Sequence, residues 1–221
     1  MGLDLDAMCD EVWSVTGTDS GDPQMTRDKV ILYLNRSYWE LLDKYHFREK
    51  DVTETFNTTE GERLYEVPTP FEALQNIAII DPDTTQSTPL KRMSTEKYNT
   101  EYNTDDDQWA IPTHYVREDC AIKLWPTPDS NEYTIVIKYW AVLSDLSEDS
   151  NPTPDIPRSW HEIIMYGGVW RAFIALRDFM SANAMKAHQK ALIDTMVPVE
   201  AKEEAHSPNA GLAPQVREYD V

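Results

Sequence analysis

Ile156-Pro157-Arg158-Ser159-Trp160-His161-Glu162-Ile163-Ile164-Met165-Tyr166-Gly167-Gly168-Val169-Trp170 opens the last third of the chain. Pro157 has a preset φ and needs no N–H in a first turn. Trp160, Ile163, Gly167, Trp170 and Ile174 then recur at spacings of three and four, which predicts a core helix. Trp160, Gly167, Gly168 and Trp170 are its candidate packing residues. Each glycine costs about 1 kcal/mol relative to Ala inside a helix, so the Gly167-Gly168 pair needs a reason. Either a neighbouring helix approaches closely there, or the pair bends the helix. Downstream, Ser181 is placed to cap a final helix with small inward residues, Ala184, Ala187 and Ala191 with Leu192. That helix is expected to end or kink at Pro198.

Upstream of the quoted stretch, Ser144 to Pro152 reads as a polar linker, and before it lies the clearest strand, Tyr133 to Val142. Alternation sets Tyr133, Ile135, Ile137 and Tyr139 on one face and Thr134, Val136, Lys138 and Trp140 on the other; bulk on both faces predicts a central strand. Period two begins near Asp51, with Val52, Glu54 and Phe56 alternating, and Thr58 to Glu62 is placed to close a hairpin onto Leu64 to Val67. Ile77 to Asp81 and Pro89 to Met93 read as strands around an Asp81 to Thr85 turn, and Ser94 or Thr95 caps a short helix to Tyr102. Asp105-Asp106-Asp107 marks an exposed loop. His114 to Val116 and Ala121 to Trp125 are two strands or one bent strand, and Pro126 to Asn131 is a turn.

Further back, helical stripes return. Leu3, Leu5, Met8, Cys9, Val12 and Trp13 predict a first helix ending before Thr16 to Gly21. Ile31, Leu34, Tyr38, Leu41, Leu42 and Tyr45 predict a second, from Pro23, capped by Asp22, or from Thr26, to His46. The fold class is therefore α+β: helices at both ends, strands between, and a segment from Ser207 with neither period. In that segment Leu212, Val216, Tyr219 and Val221 are spaced along polar residues. It is either a docking arm that binds a partner in extended form or a frayed terminus.

The 221 residues hold 39 Asp plus Glu against 20 Lys plus Arg, a formal net charge of −19. No cationic stripe exists to bind a phosphate backbone, so nucleic-acid reading is disfavoured. DNA passing nearby would be repelled, as in a conduit; the plainer reading is an acidic solvated surface. Cys9 and Cys120 lack CxxC spacing, which points away from zinc and from a disulfide framework. The N-terminus lacks a signal peptide, and no apolar run is long enough for a membrane span, so a soluble protein made in the cytoplasm is expected.

No catalytic, cofactor-binding or metal site is predicted. His161-Glu162 begins an H-E-x-x-H pattern, but Met165 stands at the second ligand position. The other histidines, His46, His114, His188 and His206, are scattered, and the Asp105 to Asp107 run lacks the Gly and distal Glu of an EF-hand. No P-loop, dinucleotide fingerprint or nucleophile elbow can be drawn. Trp109, Trp125 and Trp140 form either a sugar platform or, in the blander reading, packing surface.

Several segments, in order, resemble the head-to-tail adaptor (connector) proteins of tailed bacteriophages. They are Leu64-Tyr65-Glu66-Val67-Pro68, Ile111-Pro112-Thr113-His114-Tyr115, Ile122 to Pro128, the Tyr133 to Trp140 strand, Leu143 to Ser147, and Ile156-Pro157 leading into Trp160-His161-Glu162. The resemblance implies a helical bundle from residues 1–50 and 144–206, a β insertion at 51–143, and an extended arm at 207–221. It also implies a virion component at the head–tail junction: a dodecameric homo-oligomer ring that docks on the portal protein, meets a tail nozzle or tail tube protein, and lets DNA pass without specific binding. Leu212, Val216, Tyr219 and Val221 are then the contacts to portal or neighbour. The β region is long for the simplest adaptors. Alternatives from other classes are a head-completion or tail-terminator ring and a glycan-binding or glycan-cleaving tail module.

Overall fold

The computed structural model describes residues 3–102, 108–118 and 121–205. The Asp105 to Asp107 run, Cys120, His206 and the arm residues Leu212, Val216, Tyr219 and Val221 lie outside the described residues. The chain is α+β, with helices at both ends and two sheets between. It divides into a helical unit, formed by the segments up to Phe47 and from Ser144 onward, and a β unit, Arg48–Leu143.

In the helical unit, α1 (Leu5–Thr16) starts at Asp4, whose carboxylate accepts the Ala7 N–H at 2.9 Å. It buries Leu5, Met8, Cys9, Val12 and Trp13, the stripe its period predicts. It ends at Gly17 (φ 67), where Thr18 N–H donates to Trp13 O at 3.1 Å, a Schellman closure that needs a left-handed residue. Helix α2 (Arg27–Lys44) takes the later of its two expected starts. Asp22 does not cap it; its carboxylate accepts Gln24 N–H at 2.7 Å and shapes the preceding turn. The Ser144 to Pro152 segment is tied down, which corrects its reading as a linker. The buried Asn35 amide of α2 donates to Leu146 O at 3.0 Å and accepts Leu146 N–H at 2.8 Å. Arg27 pairs with both Asp6 of α1 and Glu148 of this segment.

A 3-10 turn, Arg158–Trp160, leads into α4 (His161–Ala175), which is buried on most sides and packs against α1, α2 and α5 (Phe179–Ala205). Two expectations for α5 are corrected. Asp178, not Ser181, is the cap: its carboxylate accepts Ser181 N–H at 3.1 Å and the Ser181 hydroxyl at 2.6 Å. Ala184, Ala187 and Ala191 are exposed, while Ala182 and Gln189 are buried and Leu192 is half-buried. The small-residue stripe therefore faces away from the bundle, because a buried polar residue, invisible to a search for apolar period, sets the inward face. The helix also continues past Pro198.

In the β unit, one sheet has the order β1 (Asp51–Asn57), β8 (Thr134–Trp140), β3 (Ala73–Ile80), β4 (Ser87–Pro89). The other has the order β2 (Leu64–Glu66), β7 (Ala121–Trp125), β6 (His114–Glu118), β5 (Lys91–Arg92). All pairs are antiparallel except β5 with β6. Strand β8 is central, as its two bulky faces predict. Tyr65, Val67, Ile77, Ile79, Tyr115, Ile122, Leu124, Ile135, Ile137 and Tyr139 form one shared core. Met93, Tyr98 and Val116 form a smaller cluster with Trp125; Tyr98 follows α3 (Thr95–Lys97), which Ser94 caps at 3.2 Å through Lys97 N–H.

The hairpin expected between β1 and β2 does not form; the two strands lie in different sheets. The turn is real, but its donors go elsewhere. Thr58 N–H reaches Tyr133 O at 2.9 Å, Gly61 N–H reaches Pro128 O at 2.9 Å, and Glu60 N–H reaches the Asn131 side chain at 2.6 Å. The 58–62 turn is thus bound to the 126–133 turn and carries the chain across the core. The Pro89 to Met93 strand is likewise divided between the two sheets as β4 and β5.

Candidate assembly surface

Of the packing residues named from sequence, Trp160 closes the 3-10 turn before α4 and Gly167, Gly168 and Trp170 lie along it. Trp160 is fully buried, with its ring centroid 5.1 Å from both Tyr45 and Phe47, edge-on to the latter. At Gly167 an added Cβ would stand 2.5 Å from Gln189 Nε2 and 2.6 Å from Ser37 Cβ, and closer still to Ser37 Oγ. At Gly168 it would stand 2.7 Å from Leu34 Cδ2. Here α2 and α5 close on α4, and only a hydrogen side chain leaves room.

Gln189, which sequence reasoning missed, is the hub of this contact. Its amide donates to Ser37 Oγ at 3.2 Å and Ile163 O at 3.0 Å, and it accepts Trp170 Nε1–H at 3.0 Å. The signal available was a lone Gln in register with a glycine-bearing neighbour, with nothing apolar about it. Trp170 is half-buried, with the Arg171 guanidinium 4.1 Å and Lys186 Nζ 5.1 Å from its ring. Arg171 in turn donates to Gly167 O at 2.7 Å and pairs with Glu40 at 2.6 Å. This network builds a stiff bundle; it offers no reacting group.

The surface changes character at the turn from α4 to α5. Ile174, Phe179 and Met180 are 44%, 61% and 84% exposed, the latter two the most exposed large apolar side chains among the described residues. Beside them an open cleft of about 540 Å³ is lined by Gln24, Lys29 and Tyr33 and by Ala175, Leu176 and Arg177. Lys29 Nζ donates to Pro23 O at 3.0 Å. Neither Lys29 nor Arg177 meets a carboxylate among the described residues. Arg177 sits at φ 63 and closes the C-terminus of α4 as Gly17 closes α1: Arg177 N–H donates to Ile174 O at 3.0 Å and Asp178 N–H to Phe173 O at 2.9 Å.

In the β unit, Trp109 is 52% exposed beside Gly61, while Trp125 ends β7 and Trp140 ends β8, in different sheets. Among the described residues no group of three or more His, Cys, Asp or Glu is placed to hold a metal ion. No helix among them is long and apolar enough to cross a membrane. His161 is taken up by backbone, its ring nitrogens 3.1 Å from Leu3 O and 3.0 Å from Ile156 O.

A family model described as SU10 adaptor protein matches residues 9–212. No curated protein matches the chain.

Proposed function

We propose that this chain, which belongs to the SU10 adaptor protein family, a family of phage head–tail adaptors, forms a dodecameric ring that docks on the portal and continues its channel toward the tail. Membership of the family makes the protein a structural adaptor of a tailed phage and a virion component. Ring formation and portal docking take their support from the match, which runs from α1 through α5 and into the arm and so covers both units.

Physics supports the reading in three ways. A bundle stiffened by the Gly167 and Gln189 contact suits a part that transmits load between larger assemblies. Many weak contacts repeated around a closed ring hold it by multivalency, so no single docking arm needs high affinity. With a net charge of −19, a lumen lined by such copies repels duplex DNA and limits adhesion during ejection. The arm, with Leu212, Val216, Tyr219 and Val221, supplies contacts to the portal or to a neighbouring copy, and the far side of the ring receives the tail nozzle or tail tube.

The test is native mass of the chain mixed with its cognate portal, compared with each alone. Saturation at a dodecamer per portal, lost when residues from Ser207 are deleted, is the expected result. No association at any ratio refutes portal docking.

A further inference from the structure

We infer that the corner between α4 and α5 is a receptor for the Val216 to Val221 segment of a second copy, so that each copy in the ring clasps its neighbour. The inference rests on the ring reading and names the contact within it. Three observations carry it.

The first is complementarity. On a chain with 39 acidic residues, Lys29 and Arg177 are exposed cations that form no ion pair among the described residues, and they border the same cleft. Beside them stand Ile174, Phe179 and Met180, exposed and apolar. A matching partner is an extended segment with carboxylates on one edge and apolar side chains on the other. Within Val216 to Val221, the stretch Glu218-Tyr219-Asp220-Val221 has that pattern, while Val216 falls on the acidic edge and Arg217 on the apolar one. In extended form Glu218 and Asp220 project to one side about 7 Å apart, and Tyr219 and Val221 project to the other.

The second is reach. Helix α5 carries the chain from the corner at Phe179 to Ala205, about 39 Å at helical rise. The stretch from Ala205 to Val216 extends to about 36–40 Å at most, and it includes Pro208 and Pro214. A return to its own corner would leave no slack, whereas a neighbour's corner in a ring imposes no such retracing.

The third is the choice of residue at the turn. The αL position at the end of α1 is Gly17, but the equivalent position at the end of α4 is Arg177. A non-glycine residue at that φ is conformationally disfavoured, which is accounted for if the guanidinium is needed at the rim of the cleft.

Disulfide trapping between full-length copies tests this, in a Cys120→Ser background; Cys9 is fully buried. One preparation carries Met180→Cys and the other Tyr219→Cys. They are mixed and oxidised, free at high concentration and on the portal, and read by non-reducing electrophoresis and intact mass. The expected result is a mixed dimer well above that formed when Asp43→Cys, an exposed site on α2, replaces Met180→Cys. Trapping should fall about tenfold with K29E and R177E together, the size expected for two exposed charge pairs, and should return when the other copy carries E218K and D220K. R177G should unfold at higher urea yet trap poorly. Equal trapping at Asp43, indifference to charge reversal, or closure within one copy bearing both cysteines would overturn the inference. Portal saturation without trapping sinks the clasp and leaves the adaptor reading intact; trapping between free copies that never bind portal does the reverse.

Discussion

Replacing Gly167 by Ala tests whether the three-helix contact is as tight as its geometry says. In an exposed helix the change would stabilise by about 1 kcal/mol. Here the new methyl would stand 2.5 Å from Gln189 Nε2 and 2.6 Å from Ser37 Cβ. Overpacking of this kind costs about 1–3 kcal/mol. Displacing Gln189 strands a buried amide that now serves Ser37, Ile163 and Trp170, at about 1–3 kcal/mol more. The net expectation is a loss of about 1–5 kcal/mol, centred near 3, after the propensity gain. With a urea slope of about 2–3 kcal/mol/M for a chain of this size, the midpoint falls by about 1 M. Far-UV circular dichroism at the helical band reports this unit rather than the β unit. Ser37→Gly on the same background removes both Ser37 atoms that the methyl would strike and should recover at least half the loss, read as coupling in a double-mutant cycle. A G167A protein as stable as the parent, or more so, would refute the close-contact argument.

Two further outcomes are expected. Asn35→Ala deletes both hydrogen bonds that hold Leu146, so urea stability should drop by about 2–4 kcal/mol and a Glu-specific protease should nick the segment at Glu148 faster; unchanged nicking would show that Arg27 alone holds it. Tyr139 is buried and donates to Glu54 Oε1 at 2.7 Å, and burial first, then that bond, pushes its phenol up to about 12 from 10.0. The folded pKa is the higher one, so the stabilisation is complete below pH 10 and is lost as pH rises toward 12. Tyr133 is also pushed up to about 12, by its bond to Asp129 first, so absorbance titration at the phenolate band should show two late tyrosines, of which one moves part of the way back in E54Q, since burial remains; no movement would remove Glu54 from the account.

Local signals were legible where one element decides its own form. The stripes of α1 and α2, the alternation of β8 and the Ser94 cap need no distant partner. Partnership was not legible. The 58–62 turn has hairpin chemistry, yet its N–H groups are claimed by residues near Pro128 and Tyr133, which nothing local announces. Asn35 and Leu146 lie 111 positions apart, so a polar run that looks free is in fact clasped. The inward face of α5 is not legible because small residues suggest close packing, while the close packing sits on the glycines of α4 and is met by a Gln. The apolar corner at Phe179 and Met180 is not legible because exposed and buried apolar residues look alike in sequence.

The helical unit is interrupted in the chain by the β unit, and this orders events on the ribosome. Strand β8, which both β1 and β3 require, is made late, and α4, on which α1 and α2 pack, later still. From the end of α2 to the start of α4 synthesis takes on the order of ten seconds. Through that interval Leu5, Met8, Val12, Val30 and Leu34 have no α4 to cover them, and the inner unit closes before the outer one can. Such long-range closure is slow and leaves apolar stripes open to chaperones or to like chains. The phage therefore makes its adaptor by a route in which the beginning of each chain waits for its end.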